Sequence, residues 1–283
     1  MLKGDFIGFR FNGKHSSAMG IIRTSNGSRY NDILLPTFQD KTVVAPGSNE
    51  TYYFGSQYTQ KPFSISFATD SLTESQYRQL RAWLGDKQIH DLIFDETPYK
   101  VYSVKTSGSP SFNFICFEEE DKRIYKGEGS INFVAYYPFA RSRFKYLNEY
   151  TDENKEEWNA AAGLLEEQGN YDKTGTSINL YNPGDLETDF LAYYSSDSIL
   201  TSINIGSSFL YFNAIQKKGS DAYYRINSKT NLIEGCNNNF EPTGTLYNEY
   251  ISKGKFFKIP LGESTFTSTG ATCEKIEYDY IYY

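Results

Sequence analysis

Apolar residues recur at every second position in many segments of this chain. Phe63, Ile65 and Phe67 alternate with small residues, and Tyr278 and Tyr280 share one face of another predicted strand. Successive side chains of a strand point to opposite faces of a sheet, so this alternation predicts strands with one buried face. The chain also holds Tyr 25 and Phe 21 among 283 residues, which favours sheets over helix bundles. We therefore expect a mainly β protein.

Residues 1–147 are predicted to hold strands interrupted by one helix. Residues 131–137 alternate until Pro138 ends the strand, since proline cannot donate to a sheet. Residues 112–117 are apolar on both faces except at Asn113, so we expect this strand to be covered on both sides.

The predicted helix begins after Thr73, which can form a capping box with Gln76. Leu72 before the cap and Tyr77 after it are spaced for a hydrophobic staple. The apolar positions that follow share one helical face, and Gly85 stands where a helix commonly ends. We expect this helix to pack on the sheet.

A second helix is predicted over residues 152–168, where Trp158, Ala162 and Leu165 share a face and Gly169 follows. Residues 148–171 are therefore interpreted as a helical linker between two domains, 1–147 and 172–283.

The pattern after the linker is entirely β. Strands at about ten-residue spacing are typical of an antiparallel sandwich or jelly roll. The predicted strands are 177–181, 190–194, 202–205, 209–212, 222–227, 229–234, 255–259 and 275–282.

Catalytic chemistry has little support in the sequence. The two histidines, His15 and His90, have no nucleophile motif beside them, and a hydrogen-bonding role in a turn or loop is the preferred interpretation for each. Carboxylates cluster at Asp91, Asp95 and Glu96, where a strand and its following turn account for them. We expect no catalytic and no cofactor-binding residues.

Metal binding is also not expected. Asp185, Glu187 and Asp189 alternate as calcium ligands can, but the glycine and the terminal glutamate of a twelve-residue calcium loop are missing. The cysteines, Cys116, Cys236 and Cys273, are odd in number and far apart, so we interpret them as buried free thiols.

Charge is divided unequally along the chain. Residues 1–150 carry 18 Lys and Arg against 16 Asp and Glu, which is +2, while residues 151–283 carry 10 against 19, which is −9. Neither half has the basic stripe that nucleic-acid binding needs, and no apolar stretch is long enough to span a membrane. The first five residues include charged Lys3 and Asp5 where a signal peptide is hydrophobic, so synthesis in a cytoplasm is expected.

Several segments resemble, in their order and spacing, the N-terminal belt domain of distal tail (Dit) proteins of long-tailed bacteriophages. Looser matches to the galectin-like sandwich of that family follow in residues 172–283. The N-terminal segments are 45–47, 52–55, 63–67, 73–84, 92–102, 127–133 and 137–140, and the C-terminal ones are 182–185, 225–227 and 255–262.

The resemblance implies a structural virion protein at the distal end of the phage tail. Six copies would close a ring through their belt domains. The ring would join the tail tube protein to a tail-tip or tail-associated protein, and DNA would pass through its lumen. The galectin-like domains would project outward, toward a receptor-binding protein or a host glycan. The extended arm with which some members hold receptor-binding proteins is not evident in residues 172–283.

Two alternatives stay open. Residues 172–283 could be a carbohydrate-binding module, which would depend on tyrosines because Trp83 and Trp158 both lie on predicted helices. The tyrosines in question are Tyr193, Tyr194, Tyr223 and Tyr224, although packing within the core or an interface explains them better. A glycoside hydrolase with two widely separated carboxylates is the other alternative.

Overall fold

The computed structural model describes residues 8–24, 35–47, 49–119, 122–143, 146–147 and 174–283. The chain divides into two compact units, one formed by Met1–Ala140 with Tyr283 and the other by Arg141–Tyr282. Antiparallel strands dominate both units, and the described residues contain a single α-helix. The expected mainly β class is confirmed. No helix in the described part of the chain is long and apolar enough to cross a membrane.

The first unit contains an antiparallel sheet in the strand order β2-β1-β7-β8-β9-β6-β3 and a separate two-stranded sheet, β4-β5. A short 3-10 helix, Ser16–Met19, follows β2. The strands are β1 (Phe9–Phe11), β2 (Lys14–His15), β3 (Ile22–Arg23), β4 (Phe38–Val44), β5 (Thr51–Tyr58), β6 (Lys61–Thr73), β7 (His90–Phe94), β8 (Lys100–Glu119) and β9 (Lys122–Ala135); β10 (Ala140–Ser142) lies where the units divide.

Helix α1 (Glu74–Leu84) begins and ends as the sequence predicts. The backbone N–H of Thr73 donates to Gln76 Oε1 at 2.9 Å, and the backbone N–H of Gln76 donates to Thr73 Oγ1 at 3.3 Å, which completes the capping box. Gly85 follows the helix, but its φ of −83° is right-handed. A side chain there would approach the Arg81 carbonyl oxygen to 2.8 Å, so close contact explains this glycine better than left-handed geometry.

Helix α1 packs on the sheet through buried Leu80, Trp83 and Leu84. The Trp83 ring stacks on Phe9 with centroids 5.9 Å apart, and its indole N–H donates to the Phe11 carbonyl at 2.8 Å. The expected packing role of Trp83 is confirmed. Trp158 and the predicted helix over 152–168 lie outside the described residues.

The second unit consists of two antiparallel sheets, in the orders β11-β21-β13-β16-β17-β18 and β12-β20-β14-β15-β19. A 3-10 helix, Asn248–Tyr250, precedes β19. The strands are β11 (Tyr146–Leu147), β12 (Ser177–Asn182), β13 (Phe190–Ser195), β14 (Ser202–Ile205), β15 (Ser208–Phe212), β16 (Tyr223–Asn227), β17 (Leu232–Cys236), β18 (Pro242–Leu246), β19 (Ile251–Gly254), β20 (Gly262–Thr269), β21 (Cys273–Tyr278) and β22 (Ile281–Tyr282).

Aromatic residues join the two sheets into a sandwich. Phe190 of β13 meets Phe266 of β20 edge-on, with ring centroids 5.5 Å apart. One predicted strand, 255–259, is wrong: only Ile259 forms an isolated bridge there, with Thr188. The neighbouring β20 pairs with both β12 and β14, and the residue alternation did not predict it.

Candidate interaction surfaces

Strands β4 and β5 form a hairpin that belongs to none of the three larger sheets. Val43 pairs with Tyr52 and Thr42 with Tyr53, and Pro46 and Gly47 lie in the connecting turn. The φ of Gly47 is +81°, a conformation that glycine adopts without a steric penalty, and proline before it presets the turn. We call residues 38–58 the apolar hairpin.

The apolar hairpin exposes large apolar side chains on both of its faces. Phe54 is 68% exposed and Tyr53 63%, although neighbouring residues of one strand point in opposite directions. An isolated two-stranded sheet is marginally stable in water, and folded monomers rarely expose a large contiguous apolar patch. The other exposed members are Phe38, Val43, Val44, Tyr52 and Tyr58. This combination is typical of a surface that another molecule covers.

The base of the hairpin is held by specific contacts. The Tyr58 ring meets Phe139 edge-on with centroids 5.2 Å apart, and the backbone N–H of Thr59 donates to the Thr37 carbonyl at 2.7 Å. The hairpin therefore projects from an anchored base.

Strand β8 presents a second exposed apolar surface. It pairs with β7 through Tyr102, Ser103 and Val104, whereas β9 follows it as far as Glu119. In residues 111–118, Ile115 is 73% exposed and Phe117 41%. We call this segment the β8 edge, because residues 111–118 pair with β9 on one side and the pairing of β8 with β7 involves only residues 102–104. Such edges are templates for pairing with another chain.

The β8 edge corrects two expectations. Residues 112–117 are only partly covered. The Tyr77 ring of α1 lies 5.8 Å from Phe112 and 5.6 Å from Phe114, but Phe114 is still 42% exposed, and Ile115 and Phe117 are exposed as well. Cys116 is exposed as well, whereas Cys236 and Cys273 are buried as predicted. An apolar run in a strand does not distinguish a covered core from an uncovered interface.

Both histidines make hydrogen bonds that fix the local fold. His15 Nε2 lies 3.0 Å from Asp95 Oδ2, and His15 Nδ1 accepts from the backbone N–H of Ser17 at 3.2 Å, which caps the 3-10 helix. His90 Nε2 lies 2.9 Å from Asp86 Oδ2. The pKa of Asp86 is lowered by a hydrogen bond from the Gln88 backbone and then by His90. The predicted hydrogen-bonding roles are confirmed, although His90 begins β7 rather than lying in a loop.

The carboxylates proposed as clusters separate into individual pairs. Glu96 pairs with Arg23 at 2.6 Å, while Asp95 pairs with His15. In the second unit, Asp189 lies 3.6 Å from the Lys258 ammonium group. The part of the chain that the structure describes contains no group of three His, Cys, Asp or Glu side chains spaced to hold a metal ion.

The tyrosines considered for glycan binding serve mainly to pack the sandwich. Tyr194 and Tyr224 are fully buried and stack with ring centroids 5.7 Å apart, and burial raises the pKa of both. Tyr193 is only 3% exposed, because the Phe240 ring covers it at 5.1 Å. Three of the four candidates are therefore buried by packing within this unit and cannot present a ring to a sugar; Tyr194 and Tyr224 lie in its core and Tyr193 lies under Phe240.

Comparison with known proteins adds to this geometry. Residues 5–125, which contain the apolar hairpin and the β8 edge, match the family model described as phage tail protein N-terminal domain. The structure resembles that of the Dit protein of phage SPP1, described as a hub of the adsorption apparatus in phages infecting Gram-positive bacteria. The TM-score is 0.60 at 10% identity, over 98% of this chain and 99% of that one. Residues 5–125 are thus similar to a phage tail protein N-terminal domain, and the chain has a Dit-like fold.

Other comparisons are weaker. A chain of the phage P2 baseplate, in its activated conformation with Ca, matches at a TM-score of 0.43 and 8% identity over 97% of this chain and 98% of that one. Among curated protein sequences, none matches this chain. The predicted resemblance to the Dit family is thus confirmed in the N-terminal family match and in the fold.

Proposed function

We propose that this phage tail protein forms a closed ring of six copies that connects the tail tube to the tail-tip or baseplate apparatus. The observation that carries the proposal is the apolar hairpin, which exposes aromatic side chains on both faces within the segment that matches a phage tail domain. A non-enzymatic assembly role agrees with the pairing of His15 and His90 in local hydrogen bonds.

Ring closure requires two different surfaces on each copy. In a head-to-tail contact, one surface of a subunit meets another surface of the next, and the set closes when the rotation permits. The apolar hairpin and the β8 edge are two such surfaces on the first unit. We propose that they lie in the subunit contacts and that residues 1–147 act as the belt domain, with 148–171 as the linker.

We propose the remaining partners from the likeness to Dit proteins. One side of the ring would meet the tail tube protein and the other a tail-tip or tail-associated protein, at the distal end of the virion tail. DNA would pass through the lumen, and the net charge of +2 over residues 1–150 suits a channel that does not retain phosphates. Residues 172–283, as a galectin-like sandwich, would project outward toward a receptor-binding protein.

Assembly can be measured directly on the full chain. Light scattering across a concentration series should detect a species of about 190 kDa, because one chain has a mass of 32.4 kDa. Negative-stain images of that species should show a six-fold annulus. A chain that remains monomeric with and without tail tube protein, or an open filament in the images, would contradict the closed ring.

A further inference from the structure

The outer face of the five-stranded sheet in the second unit carries an ordered array of polar side chains beside two exposed aromatic rings. Strand register places Ser177, Thr267, Asn204 and Phe209 opposite one another in a row across four strands. The row is about 14 Å long, since neighbouring strands lie about 4.8 Å apart. A polar row therefore ends at an aromatic ring.

A second row runs beside the first. It consists of Thr269, Ser202, Tyr211 and Lys253, again one residue from each of four neighbouring strands. In this row two hydroxyl groups precede an aromatic ring, with the lysine at the edge strand, and Ser202 is only 9% exposed. Lys253 is the only charged side chain in the two rows.

The two aromatic residues are accessible and supported. Phe209 is 37% exposed and Tyr211 46%, and their ring centroids lie 5.2 Å apart at 56°. The ammonium group of Lys253 lies 5.9 Å from the Phe209 ring centroid. Both rings stand on a strand whose alternate residues, Leu210 and Phe212, are buried in the core. The pair is therefore held in place before any ligand arrives, which reduces the ordering cost of binding.

The polar part of the face is also pre-ordered. Thr267 Oγ1 donates to Asn204 Oδ1 at 2.5 Å, so the amide group of Asn204 is oriented by its neighbour. Beside the rows, Thr265 Oγ1 donates to Asn179 Oδ1 at 3.3 Å. Hydroxyl and amide groups can both donate and accept hydrogen bonds, and they carry no net charge.

We propose that this face binds a neutral polysaccharide, with sugar rings lying against Phe209 and Tyr211 and their hydroxyls meeting the Asn204 and Thr267 row. A pyranose presents apolar C–H groups on its faces and hydroxyls around its edge. The C–H groups suit the electron-rich face of an aromatic ring, and the hydroxyls suit the row of amides and hydroxyls on the protein. The proposal concerns the second unit and does not depend on ring formation.

Charge and apolar area favour this ligand over other polymers. Nucleic acid and anionic polymers need a basic surface, whereas residues 174–283 carry 8 Lys and Arg against 12 Asp and Glu, a net −4. A protein partner needs a buried apolar core within its interface, and here the apolar part of the two rows is two rings beside hydroxyls and an amide.

The test is native affinity electrophoresis of the full chain in gels containing dextran, laminarin or galactomannan, with anionic alginate in a parallel gel. At least one neutral polymer should retard the wild-type chain. The Phe209→Ala/Tyr211→Ala variant should bind about tenfold more weakly or worse, as expected when central aromatic contacts are removed. Asn204→Leu, of similar size, should weaken binding while both rings remain. Leu246→Ala, which changes a 48% exposed residue on the other sheet, should bind as wild type.

Each alternative result overturns the proposal. These are no retardation by any of the three neutral polymers, retardation by alginate alone, and neutral-polymer binding that the ring and Asn204 variants leave unchanged. The face would instead be a protein interface if light scattering shows that the ring variant loses chain association and no neutral polymer retards the wild type. Melting curves show whether each variant is folded, so that a loss of binding is interpreted only for a folded protein. If the double variant does not fold, Asn204→Leu still tests the proposal.

Discussion

Replacement of Phe54 by serine separates the stability of one chain from the assembly of several. Phe54 is 68% exposed, so about a third of its surface is buried within the chain itself. Full burial of a phenylalanine contributes about 1.5–3 kcal/mol, and a third of this is about 0.5–1 kcal/mol. The variant should therefore fold, with a melting temperature lower by about 8 °C at most, since about 1 kcal/mol corresponds to roughly 2–8 °C in domains of this size.

The effect on assembly should be much larger. An aromatic side chain at the centre of an interface contributes about 2 kcal/mol or more, which weakens each subunit contact by about thirtyfold. Every contact in a closed ring uses the same surfaces, so all of them weaken together. Light scattering across a concentration series should show the transition from monomer to ring moving to a markedly higher concentration.

The matched control is Ile199→Ser, which changes a 56% exposed apolar residue in the second unit. It should assemble at the wild-type concentration and melt within a few degrees of wild type. The reasoning is refuted if Phe54→Ser assembles like wild type, if Ile199→Ser impairs assembly equally, or if Phe54→Ser unfolds the chain.

Four further results are expected. A thiol reagent should label Cys116 rapidly in the native chain and Cys236 and Cys273 only on unfolding, since the latter two are buried; three equal labelling rates would contradict this. Burial raises the pKa of Cys236 to about 11 and of Cys273 to about 12 from an ordinary 9.0. The unfolded chain therefore loses these protons at a lower pH than the folded chain, so the urea concentration at the unfolding midpoint should decrease as the pH rises from about 9 to about 12. Thr73→Ala should cost about 1 kcal/mol by removing the cap of α1, measured by urea unfolding, with no loss if the cap is irrelevant. Trp83→Phe should cost about 1–3 kcal/mol, because the Phe11 carbonyl loses its 2.8 Å donor; an unchanged urea midpoint would show that the bond contributes nothing.

Local signals predicted the elements that depend on local interactions. The capping box at Thr73 and Gln76 fixes the start of α1 through bonds three residues apart, so sequence alone gave its position. The alternation around Ile65 likewise predicted β6, because a half-buried strand needs an apolar residue at every second position.

The sequence indicates the apolar hairpin only as a stretch that resembles Dit proteins. A usable signal existed: Thr51 to Phe54 and Thr42 to Val44 are rich in β-branched and aromatic residues on either side of Pro46 and Gly47. Its exposure could not be read from the sequence, because aromatic residues give the same pattern whether the chain's own core or another molecule covers them.

In the second unit, too, the sequence pattern does not show which aromatic side chains are buried and which are exposed. Adjacent Tyr193 and Tyr194 are both buried, one under the Phe240 ring and the other in the sandwich core, although they point to opposite faces of β13. Phe209 and Tyr211 carry no stronger signal in the sequence, yet they are exposed. The difference arises from long-range packing: the loop that holds Phe240 returns over one sheet, whereas the rows beside Phe209 lie on the other. Tyrosine content therefore predicts aromatic packing in this unit but not the location of a binding face. Substitutions of the buried Tyr193 and Tyr194 would change the stability of the unit, whereas substitutions of the exposed Phe209 and Tyr211 test glycan binding.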